Sequence, residues 1–218
     1  VRCQQVLGRD VTVDSLLQAY DAVFLGLGLA GVNALGITEP RVEGLRNAVD
    51  FIADIRQAAD LSTVPVGRRV LVIGGGMTAV DAAVQARKLG AEEVTMVYRR
   101  GAESMSASVD EQQWAQTNGV AIHHWAAPQE LLCEGGAVTG MRFAATAQQD
   151  GRLVETGETF TLPADMVLKA IGQSYMPEYA GPSIALQSGR IAADAEGRTS
   201  LPRVWAGGDC RAGGRDLT

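Results

Sequence analysis

The sequence predicts an α/β fold with a Rossmann-like unit at about residues 67–100, and three observations predict it. An apolar run over 69–73 is typical of a buried strand, and three glycines follow it directly. An alanine-rich segment over 77–89 then stops at Gly90, as a helix would, and a second apolar run covers 93–98. A strand, a helix and a strand within about 30 residues imply a parallel pair joined by a right-handed crossover.

Further elements are predicted on both sides of this unit. Before it, we expect a short helix over 14–20, a buried strand over 22–25 and an amphipathic helix over 45–59. After it, we expect a capped helix over 108–118 and short strands at 120–125, 131–133, 138–144 and 159–162. The glycine-rich turns between these strands predict an antiparallel appendage. Later strands are expected at 166–171, 190–192 and 204–206. Trp114 and Trp125 are expected in the core.

Composition and charge narrow the class of protein. Hydrophobic residues make up 46% and charged residues 20% of the chain, which suits a packed core. The net charge of −6 disfavours nucleic acid or an anionic membrane as a partner, and no apolar run reaches the roughly 18 residues of a membrane span. The few cysteines and histidines lack the spacing of a Cys-x-x-Cys centre or a metal site. These features favour a protein of the reducing cytoplasm.

Residues 74–79 fit the pattern G-x-G-x-x-A, which binds a dinucleotide when it follows a strand and opens a helix. Gly74 would permit the sharp turn, Gly76 would let the backbone approach a pyrophosphate, and Ala79 would let the helix pack close to the strand. N–H groups at the start of the helix would face the anion. The candidate cofactor-binding residues of this loop are Gly74, Gly75, Gly76, Met77 and Thr78. The alternative is a plain structural turn.

The end of the second strand bears on the choice of cofactor. NAD sites usually place an acid there to hold the ribose 2′-hydroxyl, but residues 96–100 contain no Asp or Glu. They contain Arg99 and Arg100, whose guanidinium groups can fork onto a 2′-phosphate or stack on adenine. This favours NADPH and leaves NADH open. The alternative is that both arginines form a solvated strand end.

Two other strand ends are candidates for close approach to a ligand. Residues 207–209 (Gly-Gly-Asp) follow an apolar strand and suit a carboxylate turned towards a polyol hydroxyl, and Gly172 ends another strand. Either motif can instead be an ordinary turn. His123 and His124 lie on one predicted strand and point to opposite faces, so they are not expected to ligate one ion, and both are interpreted as ordinary strand positions. Lys169, inside an apolar strand, is expected to extend to the strand end, and a catalytic lysine is the alternative.

These motifs together resemble one family over essentially the whole chain. It is the two-dinucleotide-binding flavoprotein family that contains the small subunit of bacterial glutamate synthase and the flavin/NAD(P)H portion of dihydropyrimidine dehydrogenase. The resemblance rests on residues 20–28, 74–81, 98–101 and 206–209. Residues 33–37 and 50–56 are most similar to the electron-input subunit of bacterial dihydropyrimidine dehydrogenase.

The resemblance implies a nested arrangement, in which an NAD(P)H-binding domain is inserted between parts of an FAD-binding domain. Residues 1–64 and 173–218 would belong to the FAD domain, and residues 65–172 would form the inserted domain. The candidate FAD-site residues are then Gly26, Gly28, Gly208 and Asp209. The two N-terminal glycines would lie near the flavin, and Asp209 would hold the ribityl or pyrophosphate region.

The chain also departs from the family's pattern. The first G-x-G-x-x-G of the family, which seats the FAD pyrophosphate, and the cysteine-rich iron–sulfur segment before it do not occur in these residues. The chain is therefore expected to be a piece of a larger protein, with part of an FAD site and no activity of its own. Some NADPH-using relatives carry another basic residue after the arginines, whereas residues 103–106 here supply none. Bacterial dihydropyrimidine dehydrogenases of this type are associated with NADH.

The resemblance implies a flavoprotein oxidoreductase that passes a hydride from NADPH or NADH to FAD. Electrons would then pass through iron–sulfur centres to a catalytic subunit or domain of a larger reductase or synthase. The electron-input subunit of bacterial dihydropyrimidine dehydrogenase is the preferred interpretation, and the glutamate synthase small subunit is the alternative. A non-catalytic nucleotide-binding module is a third hypothesis from a different class.

Overall fold

A computed structural model describes residues 1–181 and 183–214, and it divides the chain into two compact units. One unit contains residues 1–33 together with the chain from 173 onwards, and the other contains residues 34–172. The second unit carries the predicted βαβ segment. Within the described residues, no helix combines the length and the apolar character that a membrane span requires.

The elements are numbered here in chain order. The helices are α1 (Val13–Ala19), α2 (Ala48–Gln57), α3 (Met77–Lys88) and α4 (Val109–Thr117). The first seven strands are β1 (Val23–Leu25), β2 (Gly31–Val32), β3 (Leu45–Asn47), β4 (Arg69–Ile73), β5 (Glu93–Val97), β6 (Val120–His123) and β7 (Ala126–Glu134). The later strands are β8 (Ala137–Gln149), β9 (Arg152–Pro163), β10 (Met166–Lys169), β11 (Gln173–Ser174), β12 (Leu186–Gln187), β13 (Arg190–Ile191) and β14 (Val204–Ala206).

The unit of residues 34–172 is built on a five-stranded parallel sheet with the strand order β3-β10-β4-β5-β6. The register pairs Lys169 with Ile73, Ile73 with Val97, and Val97 with His123. The strands therefore end at one common carboxyl edge. The predicted α/β fold with a Rossmann-like unit is confirmed.

Both faces of this sheet are covered, which explains why its central strands are continuous apolar runs. Val70 and Val72 of β4 belong to the core on the side of α2, α3 and α4. Leu71 and Ile73 alternate with them and belong to the core that Phe143 and other residues of the antiparallel appendage complete. Successive side chains of a strand point to opposite faces, so β4 serves both cores.

The antiparallel appendage contains β7, β8 and β9, and it differs in detail from the prediction. The segment predicted as an appendage strand at 120–125 is instead β6, which pairs in parallel with β5 and forms one edge of the central sheet. Two of the predicted short strands are parts of a long hairpin, because β8 has 13 residues and β9 has 12. Period-two patterning marks a strand but does not say which sheet it joins.

The predicted boundary at 64/65 is wrong, because residues 34–64 belong to the unit with the central sheet. The predicted helix over 45–59 begins as β3, which pairs with β10, and continues as α2. Phe51 and Ile52 of α2 are buried in the same core as α3. The first boundary therefore lies at 33/34, and the second lies between Gly172 and Gln173.

The unit of residues 1–33 and 173 onwards contains a short parallel pair, β1 with β14. Its register pairs Val23 with Val204 and Leu25 with Ala206. β2 pairs with β11, and β12 with β13, both antiparallel. The parallel pair and β2–β11 each join the two chain segments of the unit, because their strands are far apart in sequence.

Lys169, the last residue of β10, forms an ion pair with Glu39. Its Nζ lies 2.5 Å from Glu39 Oε2, and the two side chains are only 14% and 18% exposed. Burial raises the pKa of the Glu39 carboxyl, but hydrogen bonds from Lys169 and the Leu35 N–H, with the charge of Lys169, outweigh burial. The pKa of Glu39 therefore lies below its ordinary value of 4.5. Lys169, at the end of β10, is thus paired with a half-buried carboxylate.

We predict that Lys169→Met lowers the free energy of unfolding by about 1–3 kcal/mol at pH 7, because it leaves a partly buried carboxylate without its cation. A group whose pKa is lowered by folding stabilises the fold above its unfolded pKa, and this contribution is lost as the pH falls through the folded pKa. The loss in free energy of unfolding caused by Lys169→Met should therefore become smaller below about pH 4.5, which is the ordinary pKa of a Glu carboxyl. Urea unfolding of the wild type and of Lys169→Met, from pH 7 to pH 3, measures this difference in the free energy of unfolding. A deficit that does not change with pH contradicts the assignment.

Candidate nucleotide-binding site

The turn after β4 is held between the ends of the two neighbouring strands. The N–H of Gly74 donates to the carbonyl of Val97 at 3.0 Å, and the N–H of Ala170 donates to the carbonyl of Ile73 at 2.8 Å. Gly74 has φ +149°, and a Cβ at this position would lie 2.2 Å from the carbonyl oxygen of Ala170. Gly74 is therefore required by the close approach of the chain at the end of the neighbouring strand β10, as well as by the turn.

Gly75 is required by the aromatic ring of Tyr98. A Cβ on Gly75 would lie 2.6 Å from that ring. The Tyr98 hydroxyl donates to the carbonyl of Ser104 at 2.8 Å, and the N–H of Ala107 donates to the carbonyl of Gly75 at 3.0 Å. Gly75 thus serves the packing of the loop. Sequence reasoning did not include Tyr98 among the site residues, because no local motif marks a ring that packs under a glycine.

Gly76 is the N-cap of α3 and is the glycine of the loop that leaves space on its outer side. Only the Ser106 hydroxyl, a group free to rotate, would come near a Cβ there, at 2.9 Å. Gly76 brings no side chain to accept the first N–H groups of α3, and a helix leaves those groups without intrahelical acceptors. Met77 is 50% exposed and Thr78 is half-buried. This helix start can therefore bind an anion through its N–H groups and its dipole.

Arg99 and Arg100 follow β5 at the same carboxyl edge, and both are exposed. Their backbones are fixed: the Thr146 hydroxyl donates to the carbonyl of Arg99 at 2.8 Å, and the N–H of Trp125 donates to the carbonyl of Arg100 at 3.2 Å. Over residues 1–181 and 183–214, no carboxylate forms an ion pair with either guanidinium. Both cations are thus available to an anionic ligand.

A cavity of about 170 Å³ adjoins the arginine loop. It is lined by Arg100, Ser104, Trp125, Gln148, Gly151 and Leu153. Trp125 is half-buried and faces this space, so it is not simply a core residue as expected. The expectation for Trp114 is wrong, because its side chain is 43% exposed on α4.

Gly172 lies just beyond β10, at the same carboxyl edge as Gly74. It is exposed and has φ +91°, a conformation that glycine adopts at little cost. The parallel register of β10 and β4 puts both turns at neighbouring strand ends. The structure therefore brings Gly172, the glycine loop and the arginines to one edge of one sheet.

The remaining predicted site residues lie in the other unit. Because Leu25 pairs with Ala206, the turns after β1 and β14 emerge at one carboxyl edge. These turns contain Gly26, Gly28, Gly208 and Asp209. The glycines at 28 and 208 have φ values of +61° and +69°, and a Cβ at either would meet nothing within 4 Å.

Gly26 has a local reason besides any ligand. The exposed ring of Phe24 would lie 3.4 Å from a Cβ on Gly26 and 2.7 Å from a Cβ on Gly207. Asp209 lies in a 3₁₀ turn over Gly208–Cys210 and is half-buried. The four predicted residues therefore share one edge, and the space beside Gly28 and Gly208 is open to a ligand. In the described residues no cluster of His, Cys, Asp and Glu has the make-up of a metal site.

A glycine loop that opens a helix, beside two exposed arginines at the carboxyl edge of a parallel sheet, defines a nucleotide-binding protein of the α/β class. The sequence profile of one family, described as pyridine nucleotide-disulphide oxidoreductase, matches residues 2–218. The chain belongs to this family. The resemblance stated from the motifs is thereby confirmed, and so is the predicted class of oxidoreductase.

Two curated relatives and one solved structure illustrate the similarity. The chain is 34% identical to the NADP(+)-dependent formate dehydrogenase subunit beta of Moorella thermoacetica, over 97% of this chain and 31% of that protein. It is 35% identical to the glutamate synthase [NADPH] small chain of Escherichia coli, over 93% of this chain and 48% of that protein. The chain thus spans about a third to a half of these relatives.

The solved structure shows the same fold. Mycobacterium tuberculosis FprA in complex with NADPH superposes with a TM-score of 0.76 at 20% identity, covering 97% of this chain and 63% of that chain. At this identity the comparison concerns the fold alone, and it agrees with the α/β architecture described above.

We predict that Gly74→Ala and Gly76→Val affect different properties. Gly74→Ala should lower the free energy of unfolding by about 1–3 kcal/mol, because its Cβ meets backbone and its φ is strained. Gly76→Val should keep the fold and abolish nucleotide binding, because its side chain would occupy the place of the pyrophosphate. Thermal unfolding and calorimetric titration of NADPH measure both. Undiminished cofactor affinity in Gly76→Val would show that the loop does not hold the pyrophosphate.

Proposed function

We propose that this chain is the nucleotide-binding part of a flavoprotein oxidoreductase that passes a hydride from NADPH or NADH to FAD and electrons onward to a catalytic partner. The observation that carries the proposal is the start of α3 at Gly76, which has no side-chain cap, with two exposed arginines one strand away that form no ion pair with the described carboxylates. Membership in the pyridine nucleotide-disulphide oxidoreductase family supports it.

The residues have separate tasks in this proposal. The N–H groups of Gly76, Met77 and Thr78 hold the pyrophosphate, and Gly74 and Gly75 shape the loop. Arg99 or Arg100 reads the 2′-position of the adenosine ribose, because a charged residue after the second strand faces that sugar in this fold. The turn at Gly172 lets the nicotinamide half pass close to the backbone.

FAD fits the edge formed by the turns after β1 and β14. Gly28 and Gly208 leave open space there, and Asp209 supplies a carboxylate that can accept hydrogen bonds from polyol hydroxyls. FAD, when bound, would take the hydride from the reduced nicotinamide and release the electrons to the partner. The chain's own residues bind and orient the two dinucleotides, and none of them needs to act as an acid or a base.

The partner is proposed to be a catalytic subunit or domain of a larger complex. The names of two relatives describe a subunit beta and a small chain, which are parts of such assemblies. The electron-input subunit of bacterial dihydropyrimidine dehydrogenase is the finer proposal from residues 33–37 and 50–56. A glutamate synthase small subunit is the second candidate, and the 35% identity to that chain favours it. The cytoplasm is the proposed location.

The decisive experiment is anaerobic reduction of the full-length protein. Addition of NADPH or NADH should bleach the flavin absorbance at one equivalent of nucleotide, because one hydride carries the two electrons that the flavin takes up. The same titration of the Gly76→Val variant should leave the flavin oxidised. A protein without flavin absorbance that still binds NADPH would indicate a nucleotide-binding module and would overturn the proposal of an oxidoreductase.

We predict that Arg99 and Arg100 distinguish NADPH from NADH, with Arg100 the more direct contact. A charge-assisted hydrogen bond to phosphate contributes roughly 1.5–3 kcal/mol, so its loss should weaken NADPH binding by about 10–150-fold. NADH affinity should barely change, since NADH lacks the phosphate. Binding constants of Arg99→Ala, Arg100→Ala and the double variant for both nucleotides measure this difference. Equal losses for NADH and NADPH in the double variant would mean that the arginines do not recognise the 2′-phosphate.

A further inference from the structure

Trp125 has a backbone conformation that is unusual for a large aromatic residue. Its φ is +60°, in the left-handed region where Gly and Asn are the favoured residues. A bulky side chain at such a position costs free energy, and strained residues of this kind cluster at binding sites. Trp125 follows β6 and faces the cavity that Arg100 also lines.

The strain at Trp125 is held by hydrogen bonds on both sides of the residue. Its N–H donates to the carbonyl of Arg100 at 3.2 Å, and its carbonyl accepts from the N–H of Thr146 at 2.8 Å. Thr146 is buried, 6% exposed, and its hydroxyl donates to the carbonyl of Arg99 at 2.8 Å. One residue of β8 therefore ties the arginine loop to the tryptophan. These bonds fix the backbone of Trp125 relative to the backbone of the arginine loop.

The cavity lies where the adenosine end of a dinucleotide would reach. The register aligns Ile73, Val97 and His123, so the turns after β4, β5 and β6 follow one another along the sheet edge. Neighbouring strands lie about 4.8 Å apart, so the turn that holds Trp125 is about 10 Å from the glycine loop. The arginines occupy the intermediate turn. The glycine loop, the arginines and the tryptophan therefore follow one another in the same order as the pyrophosphate, the ribose and the base of a dinucleotide.

The lining of the cavity suits a flat, hydrogen-bonding ring. Trp125 offers an aromatic face, Arg100 a planar cation, and Ser104 and Gln148 polar groups. Gln148, Gly151 and Leu153 come from the end of the β8–β9 hairpin, which closes one side. The volume of about 170 Å³ is several times the roughly 30 Å³ that one water occupies.

We propose that Trp125 is a base-stacking residue of this site and that Gln148, from the β8–β9 hairpin, contacts the edge of the adenine. The inference rests on the proposed binding of NADPH or NADH and adds a specificity determinant to it. The antiparallel appendage then has a role in binding, because it brings Gln148 to the base and, through Thr146, holds the backbone of Trp125 beside the arginine loop. The strained backbone of Trp125 is retained because the ring is needed at that point.

The test uses the intact protein and adenosine 2′,5′-bisphosphate, a probe that carries the adenosine end and no nicotinamide. Trp125→Leu should lower the affinity for this probe by roughly 5- to 150-fold, which is the range that loss of one base–aromatic stack produces. Trp125→Phe, which keeps a flat ring, should recover most of the affinity. Trp114→Leu is the matched control, because this exposed tryptophan lies on α4, outside the cavity lining. It should leave the affinity of the probe unchanged.

A second variant separates stacking from folding. Trp125→Asn places a residue that tolerates positive φ at this position, so its thermal unfolding temperature should match that of the wild type while the affinity for the probe falls.

The contact of Gln148 with the adenine has its own test. Gln148→Ala should reduce the preference for NADPH over its hypoxanthine analogue, because the Gln148 amide would no longer contact the exocyclic amine of adenine. If Gln148→Ala keeps the wild-type preference for NADPH over the hypoxanthine analogue, the assignment of that contact is overturned.

The outcomes also distinguish this inference from the proposed function. One outcome overturns stacking on Trp125 and leaves the proposed function standing. In it, NADPH binds the wild type but not Gly76→Val, while Trp125→Leu and Trp125→Asn both retain full affinity for the probe. If the wild type binds neither NADPH nor NADH, both proposals are overturned. Loss of affinity in Trp125→Leu and Trp125→Asn with recovery in Trp125→Phe supports the stack.

Discussion

The close approach of β10 to the end of β4 is the constraint on which the candidate site depends. The carbonyl oxygen of Ala170 stands 2.2 Å from the place of a Cβ on Gly74, so the chain can leave β4 only through a glycine. The hydrogen bonds from Ala170 to Ile73 and from Gly74 to Val97 bind the three strand ends together. Because these ends are fixed, α3 begins at a defined point and its free N–H groups are directed outward at the carboxyl edge.

The sheet that supplies this edge is stabilised from both faces. α2, α3 and α4 cover one face, where many alanines of α3 allow the helix to approach the strands closely. The β7–β8–β9 appendage covers the other, with Met141 and Phe143 fully buried against Leu71 and Val167. A sheet covered on both sides leaves its strands little freedom to shift, so the turns at its edge keep their relative positions. Such fixed turns are what a dinucleotide-binding site needs, since the ligand spans several of them.

Charge is distributed unevenly around the central sheet. Lys169 and Glu39 neutralise each other inside the unit, whereas Arg99 and Arg100 extend from the edge without a carboxylate partner in the described residues. The chain as a whole carries a net charge of −6. Two exposed cations beside a helix start without a side-chain cap therefore form a local positive site on an acidic protein. Such a site favours a ligand with several phosphate charges at this point of the surface.

The sequence alone determined the parts of the protein that depend on near neighbours in the chain. The βαβ unit, the glycine loop and the arginine pair lie within about 35 residues and follow from apolar periodicity, turn chemistry and the start of one helix. Family motifs extended this reading to the turns at Gly28 and Asp209. These local signals were sufficient for the fold class and for most of the candidate residues.

Only the tertiary structure decided what depends on distant segments. Residues 34–64 join the central sheet because β3 pairs with β10, more than 100 residues later in the chain, and no local pattern encodes that pairing. For the same reason the sequence could not show that Glu39 meets Lys169, that Gly75 accommodates Tyr98, or that β6 completes the parallel sheet. The cavity beside Trp125 likewise forms from three separate segments, and a hydrogen bond from Thr146 to Arg99 joins the appendage to the arginine loop next to it. Contacts of this kind are set by packing across the sheet, since side chains from distant segments must fill the same space.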